Sequence, residues 1–226
     1  MSTIALERKL TSMASLPKLL VTMQDFLKSE MQERIAFREK ITEDDKAEFI
    51  NGKIVMHSPA SDGHNESVLH VAILSNVFVN VHGLGKVRAE KALIELTRND
   101  YEPDIAFWSK AKADKIETEQ NVYPAPDWVV EVLSKGSVKR DRVTKFEDYA
   151  AHGISEYWII DTKKQCVEQY ILPSEDSSIY VLKSLSTISD MIQSFVIQGF
   201  NIPVRAIFDA QANIEMLQKI MTKQSL

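Results

Sequence analysis

A glutamate set between apolar residues, an aspartate behind a proline, and a lysine on the helix that follows carry most of the chemistry in this 226-residue chain. In DWVVEVL, strand alternation sends Trp128, Val130 and Val132 to one face and Val129, Glu131 and Leu133 to the other. An ionised carboxylate at Glu131 is costly there unless it is hydrogen-bonded, paired or bound to a metal. A salt bridge, or a strand end open to water, is the plainer alternative. Asp104 follows Pro103 at the start of IAFW. Proline in that place marks an edge or the beginning of a strand, from which the next side chain can face a cleft, although Pro-Asp is also an ordinary turn dipeptide. As a pair on adjacent strands, Asp104 and Glu131 offer the hard oxygen ligands that Mg²⁺ or Mn²⁺ takes, with water and phosphate filling its other positions. Such an ion lowers the pKa of bound water and offsets phosphate charge.

A protein cation should stand beside that pair, and Lys145 is the candidate. Asp141, Lys145 and Tyr149 are spaced i, i+4, i+8 on one stripe of a helix, with a solvent-side Asp141–Lys145 ion pair as the other reading. The surrounding run KGSVKRDRVTK sets Lys135, Lys139, Arg140, Arg142 and Lys145 against Asp141 alone. It is either a phosphate-contacting strip or a solvated helix face. His64 opens an earlier helix and is either a supporting residue of the site or a buried structural histidine. Glu66 follows it as a possible water-mediated ligand or a helix-dipole partner. Trp108, Trp128 and Trp158 fall in strands, where core packing is expected of them rather than base stacking.

Several elements must position these groups. KAEFI and KIVMH flank Asn51-Gly52, a pair that accepts the positive φ angles of a two-residue hairpin turn. Residues 62–82 carry Val68, Val71, Leu74, Phe78 and Val81 at helical spacing and stop before Gly83. GKVRAEKALIEL, YEPDIAFW and DWVVEVL read as three strands at the sheet centre. A helix over 138–151 follows, then EYWIID, CVEQYIL and SIYVLK as strands, and a C-terminal helix around DAQANIEMLQKIM. The order describes a mixed central sheet flanked by helices, an α/β (α+β) fold. Residues 1–45 stand apart as a helical arm, with Met13, Leu16, Leu19, Leu20, Met23, Phe26 and Leu27 at helical spacing and a capping-box-like start over Thr22 to Asp25. Residues 46–226 form the main domain.

With 44% hydrophobic and 26% charged residues, the composition is that of a folded globular chain and excludes disorder. The net charge of −5 excludes a uniformly basic nucleic-acid coat but not a local basic strip. Cys166 is alone, so neither an internal disulfide nor a cysteine zinc cage can form. No secretory core or membrane-spanning run is visible, and the expectation is a cytoplasmic, soluble protein with no membrane partner.

The succession Pro103-Asp104, Glu131-Val132-Leu133-Ser134, Asp141, Lys145, Tyr149, Gly153 and Glu156-Tyr157-Trp158-Ile159-Ile160-Asp161 resembles the Uma family of restriction-endonuclease-like proteins, within the PD-(D/E)XK phosphodiesterase superfamily. The likeness extends upstream through Glu48, Gly52, Ser58-Pro59 and His64 and downstream to FVIQGFNIPVRAIF, over roughly residues 46–208. The resemblance implies a restriction-endonuclease-like fold with Asp104, Glu131 and the Val132 carbonyl as metal ligands. It departs from the superfamily pattern at Leu133, where a lysine is expected, and Lys145 takes that role by the same likeness. What matters is where the ammonium lands. The function implied is Mg²⁺- or Mn²⁺-dependent endonucleolytic hydrolysis of phosphodiester bonds in DNA. Asp104, Glu131 and Lys145 are the catalytic set, His64, Asp141 and Tyr149 support it, and Lys135, Lys139, Arg140 and Arg142 contact the backbone. Restriction-type folds often pair to reach both strands, so a homodimer through the helical arm is expected. The alternative is a catalytically inactive nuclease fold that binds nucleic acid or a protein partner.

Overall fold

The computed structural model describes residues 10–42 and 44–222. Its elements run α1 (Leu16–Lys40), β1 (Ala47–Ile50), β2 (Lys53–Met56), α2 (Asp62–His82), β3 (Gly85–Ala89), β4 (Leu93–Glu95), β5 (Asp100–Tyr101), β6 (Ile105–Ser109) and α3 (Lys110–Ala113). They continue through β7 (Val122–Tyr123), β8 (Trp128–Val132), a π-helical stretch (Arg140–Lys145) that leads into α4 (Phe146–Ala151), β9 (Glu156–Asp161), β10 (Cys166–Ile171) and β11 (Val181–Thr187). The chain then forms β12 (Met191–Gln193), β13 (Asn201–Pro203), α5 (Arg205–Phe208) and α6 (Ala210–Met221).

β8 is buried at every position, which demands a layer on each face. It lies within a six-stranded sheet of order β11-β10-β9-β8-β6-β3, in which only β8 and β9 run parallel. A parallel neighbour needs a crossover, and the helix containing Lys145 provides it. On one face α2 and α6 bring Val71, Leu74, Phe78, Met216 and Ile220 onto Ile105, Phe107, Trp128, Val130 and Trp158. On the other face Tyr149, Ala150 and Tyr101 pack on Ala106, Trp108, Val129, Tyr157 and Ile159. A second sheet, of order β2-β1-β5-β4-β7, flanks that side. The mixed sheet flanked by helices is therefore the architecture expected, and all three tryptophans are fully buried in it.

The Asn51-Gly52 turn has φ of 50° and 76°, and β1 and β2 pair antiparallel across it. α2 begins and ends at the expected residues, capped by the Ser61 side chain and by Gly83 at φ 65°. Four boundaries differ from expectation, one of them the strand expected over SIYVLK, which runs instead over Val181–Thr187. α1 starts at Leu16, with Pro17 in its first turn, where proline's fixed φ suits a helix. Thr22 is thus not a cap; its hydroxyl donates to the Lys18 carbonyl within the helix. GKVRAEKALIEL is two strands in different sheets, broken where Glu90 and Lys91 take positive φ of 55° and 47°. YEPDIAFW divides at Pro103 into β5 and β6, since proline cannot donate to a ladder.

The first half of α1 leaves Leu20, Val21, Met23 and Phe26 exposed, while its last third docks. Arg34 carries the docking: its guanidinium is ion-paired with Asp100 and donates to the carbonyls of Leu96, Thr97 and Asn99. No helix among the described residues is long and apolar enough to cross a membrane.

Candidate active site

Sheet register brings three carboxylates together at one end of the main sheet. Ala89 pairs with Ile105, and Ile105 with Val130. One residue further along each register, Glu90, Asp104 and Glu131 lie side by side on the ends of β3, β6 and β8, and the Glu90 N–H donates to the Asp104 carbonyl at 3.0 Å. Neighbouring side chains on adjacent strands sit about 4.5–5.5 Å apart at Cβ. The row opens on a cleft of about 1220 Å³, whose walls include Lys46, His57, His64, Lys135, Arg140 and Lys163.

Asp104 is fixed by one oxygen and open at the other. Its Oδ2 accepts the Val132 N–H at 2.8 Å. Among the described residues no hydrogen bond reaches Oδ1, which faces Lys46 Nζ and His64 Nε2, each at 3.6 Å. Burial pushes the Asp104 carboxyl up, but His64, Lys46 and the Val132 N–H outweigh it and hold the group below the usual carboxylate range. Burial likewise pushes His64 down, and Asp104 reverses the direction.

Lys145 reaches the same floor from the opposite side. The π-helical widening occurs at Arg140–Lys145, a kind of irregularity frequent at functional sites, and Asp141, Lys145 and Tyr149 all turn inward and are buried. Lys145 Nζ lies 2.8 Å from Glu131 Oε1, 2.7 Å from Glu48 Oε1 and 3.8 Å from Asp141 Oδ1. Tyr149 donates to Glu131 Oε1 at 2.9 Å, so it orients the glutamate rather than the lysine. Among the described residues no ion pair joins Lys145 to Asp104, which has Lys46 and His64 beside it instead.

One ammonium among three buried carboxylates leaves an excess of negative charge, which the protein divides unequally. Burial raises Glu48, but Lys145 and His57 overcome it and hold its carboxyl at about 2. Burial drives Glu131 well above the carboxylate range against the pull of Lys145, and Asp141, Asp104 and Glu48 push the same way. Asp141 is raised chiefly by burial. Lys145 would be lowered by burial, but Glu131, Glu48 and Asp141 raise it well above a free lysine.

The strip after β8 is not a single surface. Lys135 and Arg140 line the cleft, whereas Lys139 does not. Arg142 is held in a bidentate pair by Glu168, both bonds 2.6 Å. Glu66 lies outside the cleft, 3.9 Å from His70 Nε2. Five residues of the site had no role assigned from sequence: Glu48, Lys46, His57, Glu90 and Lys163. Glu48 is a carboxylate between the apolar Ala47 and Phe49 on a buried strand, the same signal that Glu131 carries. Nothing local distinguishes the others.

A family model described as "Uma2: Putative restriction endonuclease" matches residues 24–205. No curated protein sequence matches the chain. Among solved structures, "a putative nuclease belonging to DUF820" from Anabaena variabilis is similar at 17% identity with a TM-score of 0.64, over 80% of this chain and 96% of that one. At that identity the likeness concerns the fold.

Proposed function

The chain belongs to the Uma2 family, and on that premise we propose that it is a metal-dependent endonuclease hydrolysing phosphodiester bonds in DNA. The observation that carries this reading is the row of carboxylates at the floor of a cleft walled in part by basic residues, with Lys145 at hydrogen-bonding distance from Glu131. The donor set suits a divalent ion: Asp104 and Glu131 supply hard oxygens, and Asp104 Oδ1 is free of hydrogen bonds among the described residues. Asp104, Glu131 and the Val132 carbonyl would hold Mg²⁺ or Mn²⁺, which when bound supplies Lewis acidity toward a phosphate oxygen and acidifies water.

The chain's own residues do the rest. The Val132 N–H fixes the Asp104 carboxylate plane. Tyr149 and Lys145 fix Glu131 through one oxygen. Glu48, fully buried and shared between Lys145 and the Glu102 N–H at 3.1 Å, keeps the Lys145 ammonium in place. That ammonium offsets charge growing at the phosphate in the transition state. Lys135, Arg140 and Lys163 line the cleft and take the backbone phosphates; Arg142 is committed to Glu168. Pairing of two chains through the exposed face of α1 belongs to the same proposal.

Nicking of supercoiled plasmid by purified protein in Mg²⁺ or Mn²⁺ tests the reading. Cleavage by the parent and none by Asp104→Ala is expected, and equal cleavage by that variant refutes the assignment. The enclosure of Lys145, only 1% exposed, favours one rival, a nuclease fold that binds nucleic acid or protein without cutting. Its signature is salt-sensitive DNA binding with no cleavage in any divalent ion.

A further inference from the structure

Asp104 has a second neighbour that the proposed catalytic pair leaves unused. His64, Glu90 and Asp104 each present a ligand atom, and these atoms lie within 4.8 Å of one another. They come from three separate elements: the first turn of α2, the break after β3, and the residue before β6. His64 is buried, its Nδ1 has no hydrogen-bond partner among the described residues, and its Nε2 lies at ion-pair distance, 3.6 Å, from Asp104 Oδ1. A buried ring nitrogen without a hydrogen bond is costly, and His64 carries one at Nδ1 while its Nε2 faces the Asp104 carboxylate. A cation already stands in this position, because Lys46 is ion-paired with Glu90 and lies 3.6 Å from Asp104 Oδ1. Unlike Lys145, Lys46 is 25% exposed on the cleft wall, and its flexible stem can withdraw into solvent.

We infer that His64, Glu90 and Asp104 form a divalent-cation site of their own, adjoining the Asp104–Glu131 pair and selective for Mn²⁺ or a similar first-row ion over Mg²⁺. One imidazole with two carboxylates sets that preference: the two carboxylates suit Mn²⁺ as they suit Mg²⁺, but Mg²⁺ keeps to oxygen ligands and dehydrates reluctantly, whereas first-row ions also accept an imidazole nitrogen. The inference rests on the proposed reading of Asp104 as a metal ligand. Lys46 is the internal competitor: it occupies the site in the metal-free protein and leaves when the ion enters.

Electron spin-echo spectroscopy and calorimetry of the full chain with Mn²⁺ test this without reference to cleavage. A ¹⁴N coupling to Mn²⁺ is expected in the parent and is lost in His64→Gln. Since even supporting residues of a metal site are worth about 10–100-fold in affinity, Glu90→Gln should weaken Mn²⁺ by about tenfold or more and Mg²⁺ much less. Glu90 is 40% exposed, so this variant keeps the fold, and thermal melting checks His64→Gln. Lys46→Gln should bind Mn²⁺ more tightly than the parent. Absence of the ¹⁴N coupling in the parent, unchanged Mn²⁺ binding in Glu90→Gln, or weakened binding in Lys46→Gln overturns the inference. If Glu131→Gln loses Mg²⁺ while His64→Gln and Glu90→Gln bind Mn²⁺ as the parent does, this site falls and the proposed function stands. If Asp104→Ala binds both ions normally, both fall.

Discussion

Replacing Lys145 with methionine removes the one ammonium that Glu48, Glu131 and Asp141 share, at 2.7, 2.8 and 3.8 Å, and leaves the aliphatic volume nearly intact. Removing one partner of a buried ion pair typically costs about 3–5 kcal/mol, and that is the deficit expected at pH 8. The deficit should depend on pH. Lys145 lowers all three carboxyls, so in the variant each rises, Glu48 from about 2 and the other two from values already raised by burial. A carboxyl whose folded pKa exceeds its unfolded one holds more protons when folded. Its stabilising contribution is complete below the unfolded value, near 4.5 for glutamate, and is lost as pH climbs through the folded value. Each pKa unit is worth about 1.4 kcal/mol. Lys145→Met should therefore recover part of its deficit between pH 8 and pH 5, about 1.4 kcal/mol for each unit by which losing Lys145 raises a carboxyl within that range. Adding Glu48→Gln should recover part of it at pH 8, by neutralising the carboxylate that Lys145 chiefly sustains. Urea denaturation of parent, single and double variants at both pH values gives the comparison. A deficit equal at pH 5 and pH 8 would refute the account of one cation sharing three acids.

Other positions give sharper structural tests. Glu156 is fully buried and accepts from Trp158 Nε1, Gln169 Nε2, Ser194 Oγ and the N–H groups of Phe195 and Val196. Glu156→Gln turns an NH₂ toward donors and should cost at least about 2 kcal/mol in thermal melting, while Mg²⁺ and Mn²⁺ binding stay at parent levels. Gly85 has φ 151°, and a Cβ there would stand 2.0 Å from the Trp108 carbonyl oxygen. Gly85→Ala should lose roughly 3 kcal/mol or fail to fold, read by urea titration. Arg34→Ala weakens the docking of α1, which keeps only Arg38 on Asp100 and Glu30 on Arg98, so cleavage within α1 by trypsin faster than in the parent is expected. Leu20→Glu with Phe26→Glu should reduce a paired species to single-chain mass by light scattering, and a parent that already runs as one chain refutes pairing through α1.

The legible parts of this fold were those written in neighbouring residues. Asn51-Gly52 announces a hairpin because few other pairs accept two positive φ angles, and Ser61 and Gly83 bound α2 because each caps a helix end. Glu131 was legible as a carboxylate on an apolar strand face. The second sheet was not, because β5 and β7 have two residues each and β4 three, too short for alternation to register. The break at Glu90 and Lys91 was hidden for a related reason: neither residue favours positive φ, so only the surrounding structure selects it. Of the partners of Lys145, Glu131 and Asp141 were legible and only Glu48 was hidden, by distance. Asp141 lies four residues away and was visible, whereas Glu48 reaches it from β1 through tertiary packing.

The net charge of −5 takes on a local meaning in the cleft. Glu90, Asp104, Glu131 and Asp141 line it, Glu48 stands behind them on Lys145, and the protein places its own cations among these acids. It does so in two ways. Lys145 is enclosed, makes three close ion pairs and cannot leave without exposing a fully buried acid, so its charge belongs to the scaffold. Lys46 is partly exposed and faces Glu90 and Asp104 from the cleft wall, where the inferred ion would displace it. An arriving divalent ion would thus compete with one lysine and rely on the other. Total charge says little about such a site, because its affinity depends on how firmly each resident ammonium is held. The Lys46→Gln and Lys145→Met variants should accordingly move Mn²⁺ affinity in opposite directions, the first upward and the second downward through disorder of Glu131, and calorimetric titrations that moved them together would show that burial does not separate the two roles.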